Sequence, residues 1–187
     1  MSYDDQDDVL RWAELDEVME IVLSLKPKMH ALNRWFYTKR SPADADELLI
    51  DTWLLVHNAR SDGGPVSEGK FAWEPINQIA MQAFKMRETL QDKHSSTTRL
   101  EQQFMELRQY ALKLEKAVVR QHYLLDTGRI ATDIGTISWA SKILKKSEIT
   151  VRRYINVKKI WAFQVTKFWW IPIEELKLLL GGGDGDE

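Results

Sequence analysis

The residues best equipped for chemistry lie late in the chain, and that chemistry is binding. Between residues 136 and 172, eight bases (Lys142, Lys145, Lys146, Arg152, Arg153, Lys158, Lys159 and Lys167) stand against one acid, Glu148. Within this stretch Val151 and Ile155 are four apart, so on a helix both fall on one side. With that side turned inward, Ile149, Arg153 and Asn156 point away from it, flanked by Thr150 and Arg152. Such a face offers cations to phosphates, amide and guanidinium groups to base edges, and an apolar side chain to a thymine methyl. Lys145, Lys146, Lys158, Lys159 and Lys167 add attraction for a phosphate backbone, so double-stranded DNA is the expected partner.

Catalytic readings find nothing comparable. His30, His57, His94 and His122 are dispersed, with no pair at metal-binding spacing. The absence of cysteine removes thiolate metal sites and cysteine nucleophiles. Gly63-Gly64 lacks the lysine-serine pair that would complete a phosphate-cradling loop. The expectation is therefore no enzyme, no catalytic residue, no metal and no cofactor. Residues 4–20 set eight acids against Arg11 alone, the reverse of the basic end. They read as a solvated acidic arm, and mimicry of DNA against the basic end is a further role for it.

The elements that must position these residues form a mainly α chain of 187 residues. Apolar residues at helical spacing run from 8 to 25, stop before Pro27, and resume from Lys28 to Arg40. Ser41-Pro42 opens a helix to about Asn58, and Ser61–Gly69 is a loop. Pro75 opens another helix ending near Lys93, and Thr98-x-x-Glu101 is a capping box for a long helix to about Leu125. In that helix Leu100, Phe104, Leu107, Ala111, Leu114, Val118, Gln121 and Leu125 alternate steps of four and three. This seam packs either within the chain or in a homodimer through residues 100–125. Gly128 and Gly135 bracket a linker.

Beyond the linker, Ala140 and Leu144 mark one short helix and Ser147 caps the next, the helix-turn-helix pattern. Lys159–Val165 and Phe168–Ile171 read as two strands around Thr166-Lys167, a wing with Lys167 at its tip, and a helix with Leu176, Leu179 and Leu180 follows. The expected architecture is an N-terminal helical bundle with a long helix over 1–127 and a linker over 128–135. A C-terminal winged helix-turn-helix with a two-stranded β-hairpin covers 136–180, and a disordered acidic tail covers 181–187.

Residues 136–180 resemble the helix-turn-helix of the MerR and excisionase superfamily. The resemblance rests on Ala140, Leu144, Ser147, Thr150-Val-Arg-Arg-Tyr-Ile155, Ala162, Trp169 and Ile171-Pro172. It implies that the second helix enters the major groove while the hairpin meets the backbone, with contacts from Ser147, Thr150, Arg152, Arg153 and Lys167. Lys145 stands where that family carries a turn glycine, Gln164 and Thr166 replace an arginine and a glycine, and Trp170 replaces an arginine.

Residues 28–93 resemble sigma-factor region two more loosely, through Ser41–Trp53 and Lys70–Phe84. That resemblance implies a polymerase-binding helix with Asp46, Glu47 and Asp51, and a stacking platform of Phe71 and Trp73. Three function classes follow: a DNA-binding transcription regulator of bacterial or phage type, a sigma-like initiation factor that binds core RNA polymerase, and a phage DNA-packaging or recombination accessory protein. With no apolar run near bilayer length, the expectation is a soluble protein of the bacterial cytoplasm or nucleoid, without a membrane partner.

Overall fold

The computed structural model describes residues 3–38, 41–61, 64–92, 94 and 96–181, with side chains from residue 11 onward. The expected tail, apart from Gly181, and the side chains of the acidic arm before residue 11 lie outside the described residues. The described residues form seven helices and three short strands, mainly α as expected. They divide into two compact units, residues 1–118 and 119–187.

In the first unit, α1 (Tyr3–Thr38) is one helix with Pro27 inside it, not the two segments expected. A proline there removes a hydrogen bond and crowds the preceding turn, at about 3 kcal/mol. Burial of Leu25, Met29 and Leu32 on either side of Pro27 outweighs this and holds the helix through. Ser41 caps α2 (Pro42–Arg60), accepting from Ala43 N, and Trp35 Nε1 donates to Ser41 O at 2.9 Å. Helix α3 (Trp73–Gln91) begins two residues before the expected Pro75, which occupies the first turn, where amides need no helical acceptor.

Helix α4 (Thr97–Thr127) is capped by Ser96, whose Oγ accepts from Arg99 N at 3.3 Å; the expected box at Thr98 is already helical. The seam positions Phe104, Leu107, Leu114 and Val118 are buried in this one chain, and Phe36 stacks on Phe104 at 4.9 Å. Lys26 Nζ donates to Glu115 Oε2 at 2.6 Å, and Gln82 Nε2 donates to Gln103 O at 2.9 Å. Four of the eight seam positions are therefore packed within the chain, while Leu100, Ala111, Gln121 and Leu125 are only half-buried.

The second unit opens with the last turns of α4, so the division falls earlier than the expected boundary at residue 127. The supposed linker contains β1 (Ile134–Gly135), which pairs antiparallel with β3 (Phe168–Pro172). On its other edge β3 pairs with β2 (Phe163–Val165), giving a three-stranded sheet ordered β1-β3-β2 in place of a bare hairpin. Strand β2 is shorter than expected, because Lys158 and Lys159 form a turn and Ile160 drops into the core. Gly135 is required in β1: the Trp139 indole lies against its Cα, and any Cβ would overlap the ring.

Helices α5 (Ile137–Leu144), α6 (Glu148–Asn156) and α7 (Ile173–Gly181) close around one apolar cluster. Ala140, Leu144, Val151, Ile155, Ile171 and Leu176 form its centre. Three tight turns are held by non-glycine residues with positive φ: Lys145 at 52°, Lys158 at 55° and Thr166 at 56°. Each costs about 1 kcal/mol or more relative to glycine. The turn between α5 and α6 thus keeps a left-handed geometry with a lysine in it.

Candidate nucleic-acid interface

The outward face of α6 is set by the face that is hidden. Val151 is fully buried and Ile155 nearly so, which fixes the rotation of the helix. Ser147 fixes where it starts, its Oγ accepting from Thr150 N at 3.1 Å. The Ser147 and Thr150 hydroxyls also lie 3.0 Å apart in a mutual hydrogen bond. Facing solvent are Ile149, 80% exposed, with Arg152, Arg153 and Asn156, while Thr150 is half-buried.

The flanking cations are placed by turns. Lys145 and Lys146 are exposed on the turn before α6, and Lys158 and Lys159 on the turn after it. Lys167 is exposed in the two-residue turn between Val165 and Phe168, 5.5 Å above the Phe168 ring. Lys159 Nζ lies 5.2 Å above the Tyr154 ring. All eight bases of residues 136–172 are exposed, and none joins an ion pair among the described residues. Of the residues expected to meet DNA, Ser147 and Thr150 are engaged in the cap; the others face solvent.

The same unit holds a polar network that the sequence did not flag. Glu175, buried on α7, accepts from Tyr123 Oη and Arg129 Nη1 at 2.9 Å through Oε1, and from Trp161 N at 2.7 Å through Oε2. It ties the end of α4, the segment before β1 and the approach to β2 to one carboxylate. Burial, reinforced by the Glu175 hydrogen bond and charge, pushes the Tyr123 phenol up to about 12. Beside it, burial opposes ionisation of Glu174, but hydrogen bonds from Thr132 outweigh burial and hold its carboxyl below the usual range. The available signal was spacing: Pro172, Glu175, Leu176 and Leu179 follow helical steps, and this stripe faces the core.

The acidic helix of the first unit presents less than its sequence suggests. Asp46 Oδ1 accepts from Arg87 Nε at 2.7 Å, and Asp51 lies 3.6 Å from Lys28 Nζ. Of the three acids expected to meet polymerase, Glu47 alone is exposed without an ion pair among the described residues. Phe71 and Trp73 are half-buried. Among the described residues there is no cluster of three or more histidines, aspartates and glutamates arranged to hold a metal, and no helix long and apolar enough to cross a membrane.

Comparison with protein-family models, curated proteins and solved structures returned no match.

Proposed function

We propose that this chain is a DNA-binding transcription regulator of bacterial or phage type, with its second unit acting as a winged helix-turn-helix. One observation carries the reading: eight exposed bases, none in an ion pair among the described residues, lie on and around a short helix whose opposite face is locked into a core. In this arrangement α6 enters the major groove, Lys145 and Lys146 meet one phosphate strand, and Lys158 and Lys159 meet phosphate at the other end. Lys167 reaches the backbone from the hairpin. The MerR and excisionase resemblance supports the same docking, and a left-handed Lys145 in the turn between α5 and α6 is compatible with it. The sigma-like alternative is not favoured, since Asp46 and Asp51 are engaged within the chain.

The test is fluorescence anisotropy with labelled mixed-sequence duplex at low salt. Arg152→Gln combined with Lys158→Gln and Lys167→Gln should weaken binding at least tenfold, whereas Lys85→Gln in α3 should leave it unchanged. Equal affinity for both variants would remove the assignment.

A further inference from the structure

The observations on α6 extend to what it reads. An exposed isoleucine by itself is ordinary, but Ile149 is 80% exposed in the first turn of a helix otherwise surrounded by cations. Its neighbours narrow the choice of reading groups. The Ser147 and Thr150 hydroxyls are committed to each other and to the helix cap. Ile149 and Arg153 are four apart, hence adjacent on the same outward face, and among the described residues Arg153 has no ion pair.

Across the major groove the 5-methyl of a pyrimidine is the apolar group on the base edges, and guanine offers the paired acceptors that suit a guanidinium. A β-branched side chain has few rotamers to lose on contact. Four residues of helix advance about 6 Å, which spans about two base steps at roughly 3.4 Å each. We propose, resting on the DNA-binding reading above, that Ile149 packs on a pyrimidine 5-methyl while Arg153 reads a guanine within two base pairs of it. Ile149 is then a specificity-determining residue, and its ligand is a methyl group of thymine or 5-methylcytosine.

The experiment selects duplexes from a random library with the full chain, then replaces each preferred thymine singly by uracil, which removes only the methyl. At one position, adjacent to or one base removed from a preferred guanine, uracil should weaken binding about fourfold, the worth of one buried methyl. Ile149→Ala should bind the thymine and uracil duplexes equally, and Ile149→Val should retain the discrimination. Cytosine placed there should gain affinity on conversion to 5-methylcytosine, which shows that the methyl itself is read. If duplexes are selected but no thymine-to-uracil exchange matters, or the discrimination survives Ile149→Ala, this inference fails and DNA binding stands. If no duplex is bound at all, both fail.

Discussion

The two units spend their charges differently. In the first, Asp46 holds Arg87, Asp51 faces Lys28, Glu115 accepts from Lys26 and Glu14 pairs with Lys70. Four cations there are answered within the fold, although Arg34, Lys85, Arg99, Arg108 and Lys113 are exposed without an ion pair among the described residues. In the second, Arg129 is answered by Glu175, while the eight bases around α6 have no ion pair among the described residues. Unanswered like charges repel one another and reduce stability, and under the DNA-binding reading proposed above an external polyanion answers them. The number of basic residues matters less than whether the fold has already paired them.

The largest test of that contrast is ionic strength. About five phosphate contacts predict a log–log slope near −4 to −5 for DNA affinity. Between 50 and 200 mM salt that slope corresponds to a loss of about 500-fold, measurable by anisotropy on the full chain. A flat response would erase the distinction between the units.

Next in size is Glu175→Ala. It strands the Tyr123 hydroxyl and the Trp161 amide, so urea unfolding should show a loss of about 3 kcal/mol. The same network predicts a pH dependence. Tyr123 keeps its proton to about 12 when folded, against 10 when unfolded. Its contribution is therefore fully present below pH 10 and is lost as pH rises from 10 towards 12. Phenolate absorbance should show one tyrosine titrating late, and Glu175→Ala should bring it back towards 10.

Smaller, and more discriminating, is Lys145→Gly. Relieving the left-handed lysine should raise stability by about 1 kcal/mol while weakening DNA binding by removal of a cation. Stability and affinity moving together would contradict the role given to that turn. Smallest is Arg87→Ala, which opens a partly exposed ion pair and should cost about 0.5–1 kcal/mol with DNA affinity unchanged.

Local signals carried the second unit's helices. Ser147 and Thr150 are three apart, Val151 and Ile155 four apart, and capping and rotation depend only on such near neighbours. The hairpin turn at Thr166-Lys167 was legible for the same reason. Strand β1 was not, because two residues carry no alternation and its partner β3 lies far along the chain. Pro27 read as a stop because its local penalty is visible in sequence, whereas the burial that overrides it is tertiary. The acids of α2 read as a free face because Arg87, the partner of Asp46, sits on another helix. The cationic face itself was legible residue by residue. The buried network of Glu175 with Tyr123, Arg129 and Trp161 was not.

Pairing of Ile134 with Pro172 and Gly135 with Ile171 also bears on how the protein tolerates trimming. A fragment beginning at Thr136 would keep every basic residue around α6 yet strip one flank of β3. Bare backbone amides and carbonyls on that flank would invite pairing with another molecule, so such a fragment should self-associate. One beginning ahead of Val119 keeps both the covering strand and Tyr123.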